Sequence, residues 1–162
     1  MWSEVWRSIN HLLLCKQNVD TSIDSAVELL HQTLPAVEIT WLTVQSDRAI
    51  FLNSTEQSTV ILFELNCRDR MLHLIQTLRD QSFDAAIIFT TPAQFPYLLA
   101  YLCYLASIPI RIGQSQEFGG GVLSHCITPP IDPVPLPDYH LHLLKTVGLI
   151  SFNSAQFAAL IP

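Results

Sequence analysis

The sequence predicts an α/β fold: a parallel sheet with helices packed on both of its faces. Three observations carry the prediction. Short apolar runs recur along the chain at the length of strands; segments with helical apolar spacing separate them; and no internal repeat or low-complexity tract interrupts the alternation.

His11–Cys15 is a continuous apolar run, the pattern of a strand covered on both faces. Ile23, Ala26, Val27, Leu30 and Leu34 then fall on one helix face, with Thr21 or Ser22 as candidate caps and Pro35 as the stop. Val37, Ile39 and Trp41 alternate with polar neighbours as a second strand, and Thr59–Phe63 reads as a third. Met71, Leu74, Ile75 and Leu78 mark the next helix, and Ala85–Phe89 the fourth strand. An apolar helix over 94–107 leads into a fifth strand, Ile110–Ile112. A last helix covers Tyr139–Val147, with Gly148 as its stop. Phe95–Ile112 is the one segment that could pass for a membrane span. Pro96 and Pro109 bracket it and Arg111 closes it, so its uninterrupted apolar part falls short of the ~20 residues a bilayer requires. A helix running into a buried strand is the better reading.

Composition narrows the function. The 162 residues suit one core rather than two domains. The net charge of -6 and only eight basic residues, with no basic cluster, argue against nucleic acid as a partner. Charged residues make up 14%, against a typical ~25%, which implies an unusually large core or an apolar face that meets a partner. Four cysteines lack any C-x-x-C pair and no signal peptide opens the chain, so a reduced cytoplasmic setting is expected. His140 and His142, two apart on a helix, point to different faces, and His125 with Cys126 has no second ligand pair, so no metal site is expected. No cofactor is expected either. Gly119–Gly121 lacks the flanking pattern of a phosphate cradle, and no G-x-S-x-G elbow is present. Trp41, Tyr97, Tyr101 and Tyr104 read as core and helix packing.

The stretch Phe83-Asp-Ala-Ala-Ile-Ile-Phe89, the helix from Tyr97 to Leu105 and Ile108-Pro-Ile-Arg-Ile-Gly113 resemble the amino-terminal domain of glycosyltransferase family 9, the bacterial lipopolysaccharide heptosyltransferases. That family shows a "YDLAI" strand, an alanine- and leucine-rich helix and an "R-I-G" strand. The resemblance continues through Glu117–Leu123, His140–Leu144 and Val147–Leu149, and Leu34–Thr43 is similar to the family's "P-x-A-x-I-T-x-L" second strand. It implies that residues 1–162 form a single Rossmann-like, acceptor-side domain, the N-terminal half of a GT-B glycosyltransferase, whose C-terminal donor-binding domain is absent from this chain.

What the resemblance implies for function follows. A complete enzyme would transfer a sugar from a nucleotide-sugar to a saccharide acceptor that is lipid-linked, in lipopolysaccharide biosynthesis, at the cytoplasmic face of the inner membrane, with peripheral association and no membrane span. The isolated domain would be inactive. The family carries a glycine–aspartate pair after its first strand, the aspartate serving as base. Here the loop reads Lys16-Gln-Asn-Val-Asp-Thr-Ser-Ile-Asp24, without glycine, and Asp20 and Asp24 are its candidate catalytic carboxylates. Asp24 equally suits compensation of a helix dipole, and Asp20 an ordinary polar loop position. Lys16, Asn18, Thr21, Arg111, Gly119 and Gly120 are the candidate substrate-binding residues, Lys16 and Arg111 for an anionic group. The departures in this loop leave a second reading open: a degenerate, non-catalytic Rossmann-like module. Its apolar face would meet a second copy in a homodimer, or else the missing C-terminal domain.

Overall fold

The structure is a computed structural model that describes residues 2–16, 23–44, 59–63, 68–117 and 121–150. Among these, the element order is α1 (Trp2–Ser8), β1 (His11–Lys16), α2 (Asp24–Thr33), β2 (Glu38–Val44), β3 (Thr59–Phe63), α3 (Arg68–Asp80), β4 (Ala85–Phe89), α4 (Tyr97–Leu105), β5 (Ile110–Gln114), β6 (His125–Ile127) and α5 (Leu136–Thr146). The six strands form one sheet in the order β3-β2-β1-β4-β5-β6, and every neighbouring pair is parallel. This is the Rossmann-like parallel sheet the sequence predicts. The order reverses between β1 and β4, and ligands of such sheets bind at the carboxyl ends of the strands beside that switch point.

Side chains along β1 point alternately to the two faces. Leu12 and Leu14 join Trp6, Leu30, Trp41, Ile87, Phe89 and Leu144 in a core under α1, α2 and α5. Leu13 and Cys15 join Leu42, Phe63, Leu78, Ile88 and Leu102 in a second core under α3 and α4. A strand so enclosed has no polar face, which is why β1 and β4 read as unbroken apolar runs.

Two motif residues have structural roles here. The Asp84 carboxylate accepts the backbone N–H groups of Asn10 (2.7 Å) and His11 (3.0 Å), closing the amino edge of β1 and β4. Gly113 of β5 is closely packed: a Cβ there would stand 3.1 Å from Pro96 Cβ and 3.2 Å from Leu123 Cδ2.

The sequence reading needs three corrections. Helix α1 was not anticipated; it is tied down by Trp6 Nε1–H, which donates to the Val147 carbonyl at 2.6 Å in the interior. Strand β6 was also not anticipated, because three residues with two exposed side chains carry almost no apolar pattern. Tyr101 and Tyr104 are half exposed rather than core. Leu99, Ala100, Leu102 and Cys103 already fill the buried face of α4, so the positions between them turn outward. Trp41 is buried as expected.

Candidate functional site

The carboxyl edge of the sheet is built from residues that end apolar strands with a polar side chain. Lys16 ends β1, paired in register with Thr43 of β2 and Phe89 of β4, and only 3% of it is exposed. Thr43, Thr90 and Gln114 are likewise buried at the ends of β2, β4 and β5. Buried polar groups of this kind need partners, because an unpaired one costs about 1–3 kcal/mol. One atom among them lacks a hydrogen bond: Gln114 Oε1.

The orientation of Gln114 is fixed by chemistry. Its Nε2 donates to the Tyr139 carbonyl at 3.0 Å, and a carbonyl accepts only from the amide nitrogen. The Oε1 atom is therefore an enclosed acceptor without a partner, and Gln114 is one of the residues lining an open cleft of about 350 Å³. That cleft lies between the loops that follow β4, β5 and β6, with Gln94, Phe95, Gln114, Glu117, Asp132 and Tyr139 in its walls and Pro129, Pro130 and Pro133 along one side. Burial raises the Tyr139 phenol above its ordinary value, an effect partly offset by the nearby Thr90 hydroxyl.

The loop after β5 is stapled to the start of α4. Tyr97 Oη lies 2.7 Å from Ser115 Oγ and donates to the Glu117 carbonyl, while the Glu117 N–H donates to Ser115 Oγ at 3.0 Å. Gln94 closes the loop after β4, its Oε1 accepting the Thr91 N–H at 3.0 Å. The loop after β4 is thus set by a local hydrogen bond, and the loop after β5 by bonds that reach back to Tyr97.

The sequence-derived candidates are placed as follows. Lys16 sits at the switch point. Asp24 opens α2 with an exposed side chain in its first turn; α2 follows β1, so Asp24 faces the same end of the sheet. Asn18, Asp20, Thr21, Gly119 and Gly120 lie outside the described residues. Arg111 is not brought to the carboxyl edge. It is the second residue of β5, near the amino end, because the strand runs on to Gln114 rather than stopping at Ile112. Its guanidinium donates to the carbonyls of Val122 (2.6 Å), Ile108 (2.5 Å) and Pro109 (3.1 Å), and lies 5.3 Å from the centre of the Tyr104 ring.

The two histidines diverge as their spacing requires: His140 is buried edge-on to Phe89, and His142 Nε2 lies 3.0 Å from the Thr128 carbonyl oxygen. Among the described residues no group of three His, Cys, Asp or Glu is placed to hold a metal, and no helix is long and apolar enough to cross a membrane.

Thr90, Gln114 and Tyr139 were not singled out from sequence. The usable signal was position: a polar residue directly after an apolar parallel strand stands at the binding edge.

Two solved structures share the fold. The glycosyl transferase family 9 protein of Veillonella parvula superposes with a TM-score of 0.70 at 13% identity, over 87% of this chain and 42% of that one. The E. coli heptosyltransferase WaaC, solved with ADP, gives a TM-score of 0.62 at 15% identity, over 85% of this chain and 47% of that one. The chain therefore spans less than half the length of either transferase. No family model and no curated protein matches the sequence.

Proposed function

From these matches we propose that the chain is the amino-terminal, acceptor-side wall of a two-domain glycosyltransferase of the heptosyltransferase kind. One observation carries the proposal: nearly the whole chain superposes on less than half of each transferase, and its own polar cleft opens at the strand ends.

In such an enzyme the donor half holds the nucleotide-sugar, and this half presents the acceptor. The acceptor oxygen forms a bond to the anomeric carbon as the bond from that carbon to the diphosphate breaks. The nucleoside diphosphate leaves with the electron pair, and a carboxylate takes the acceptor proton. Asp24 at the start of α2 and Asp20, four residues before it in sequence, are the carboxylates on this side. Lys16, Asn18 and Thr21, with Gly119 and Gly120 between β5 and β6 in sequence, are the acceptor-contacting residues of the proposal, and the cationic and backbone donors that stabilise the leaving diphosphate belong to the other half. The chain alone is inactive. Its acceptor is a lipid-linked saccharide of bacterial lipopolysaccharide assembly, met at the cytoplasmic membrane face by peripheral contact.

The test compares the chain with the longest reading frame that contains it, by calorimetry and transfer assays over a panel of nucleotide-sugars. The proposal expects binding and transfer by the long form and neither by the chain alone. Micromolar nucleotide-sugar binding by the isolated chain would overturn the division of labour.

A second reading has its own observation. Leu98, Tyr101 and Tyr104 of α4, with Leu72 of α3, are large apolar side chains partly exposed to solvent. Exposed large apolar side chains that cluster into a patch mark an interface, and these suit a non-catalytic module that pairs through them. In that case the altered loop between Lys16 and Asp24 reflects a lost active site.

A further inference from the structure

We infer that the outer face of α4, with the flank of α3 beside it, docks shallowly on a phospholipid bilayer. The inference rests on the acceptor-half reading above and names the face by which that half meets the membrane.

Helix α4 is nine residues long without one charged side chain, yet only one of its sides is covered. Leu99, Ala100, Leu102 and Cys103 are buried, while Leu98, Tyr101 and Tyr104, spaced by three, form an outer stripe. The rings of Tyr101 and Tyr104 stack with their centres 6.4 Å apart. Leu72 of α3, more than half exposed, widens the stripe. Arg79 Nη2–H donates to the Leu105 carbonyl at 2.7 Å, so that side of α3 faces α4. Leu72 lies about two turns before Arg79 on the same side.

Position, chemistry and size point to lipid. Helix α3 follows β3 and α4 follows β4, so their first turns, with Leu72 and Leu98, stand at the carboxyl edge of the sheet. Phe95, exposed just before α4, lines the cleft at that edge. Contact between this face and the headgroup layer therefore sets the cleft beside the bilayer that holds a lipid-linked acceptor. Tyrosine, with an apolar ring and a polar tip, suits the boundary between membrane and water. The net charge of -6 is not concentrated on this face. Helix α4 has no acid, Arg79 and Arg111 flank its stripe, and the acids of α3, Asp69 and Asp80, stand at the two ends of that helix. Four outward side chains are few against the roughly 20–30 residues that each partner brings to a stable protein interface, which favours a bilayer over a second copy. Shallow insertion of a small apolar patch is enough for reversible binding to a membrane surface.

The experiment sediments the chain with vesicles of phosphatidylethanolamine and phosphatidylglycerol, and follows the chain alone by light scattering. The parent is expected to bind the vesicles, to be a monomer without them, and to stay bound in high salt, because apolar contact rather than charge holds it. Leu72→Ser with Tyr101→Ser changes two exposed positions outside both cores and should leave the urea midpoint unchanged. It should weaken vesicle binding about tenfold, the loss expected when two exposed apolar side chains no longer enter lipid. A chain that ignores the vesicles, or a double variant that binds them like the parent, would overturn the inference. So would a homodimer that the double variant dissolves, since the stripe would then belong to a second copy. Transfer by the long form judges the underlying reading separately. Transfer without vesicle binding removes the docking face alone, whereas vesicle binding without transfer removes the acceptor reading and keeps the docking face.

Discussion

Replacing Gly113 by alanine places a methyl group 3.1 Å from Pro96 Cβ and 3.2 Å from Leu123 Cδ2, where carbon atoms sit comfortably at ~3.5–4.0 Å. Gly113 lies in β5 outside the left-handed region, so the cost is steric and not conformational. Neither neighbour moves easily. Pro96 is a rigid ring that begins α4, its carbonyl accepting the Ala100 N–H at 2.9 Å, and Leu123 is packed in the core under α3 and α4. Overpacking of this kind costs about 1–3 kcal/mol. For a chain of this size that is a fall in Tm of about 2–12 °C. Urea unfolding of Gly113→Ala, Leu123→Ala and the double variant supplies the test. Shortening Leu123 removes one of the two clashes, so the double variant should be more stable than the sum of the singles implies, by at least about 0.5 kcal/mol. A Gly113→Ala protein as stable as the parent, or strict additivity in the double variant, would refute the view that β5, the start of α4 and Leu123 are in tight contact beside the cleft.

Three further outcomes are expected. The Cys15 thiol is raised well above its ordinary value, first by burial and then by its hydrogen bond to Cys103, whose Sγ is 3.8 Å away. A raised group holds its proton more tightly folded than unfolded. Its contribution is therefore complete below the unfolded thiol value of about 8.5 and is lost as pH rises above it; the urea midpoint should fall on going alkaline, and less steeply in Cys15→Ala. Arg111→Lys should cost about 1–3 kcal/mol, because a lysine cannot serve the Val122, Ile108 and Pro109 carbonyls at once. It should leave transfer by the long form unchanged, and a selective loss of transfer would restore Arg111 as a ligand contact. Trp6→Phe leaves the Val147 carbonyl without its buried donor; a loss of about 1–3 kcal/mol is expected, with hydrogen exchange speeding up first in α1.

Much of the fold was legible because enclosed parallel strands leave an unmistakable trace: Thr59–Phe63 and Ala85–Phe89 are read from sequence with the bounds they have in the structure. The helices were found by their apolar spacing, with ends displaced by a few residues. Strand β6 escaped because His125, Cys126 and Ile127 are held by pairing with β5 and not by burial. Helix α1 escaped because its docking depends on one tryptophan reaching Val147, a contact across most of the chain. The tyrosines of α4 were misplaced because a helix that is apolar all round does not announce which side is covered. At the site, Lys16 was legible as a charge ending an apolar strand. Gln114 was not, since its importance comes from a locked amide that only the approach of α5 creates. Arg111 carried the right chemistry for an anion but the wrong place along β5.

The measurement that bears most directly on the acceptor-half account is light scattering of this chain, alone and mixed with a separately produced donor-binding half from the same reading frame. The account predicts a monomer alone and a stoichiometric one-to-one complex in the mixture. A stable homodimer that ignores the second half would contradict it, and would make the exposed face of α4 the place where two copies meet.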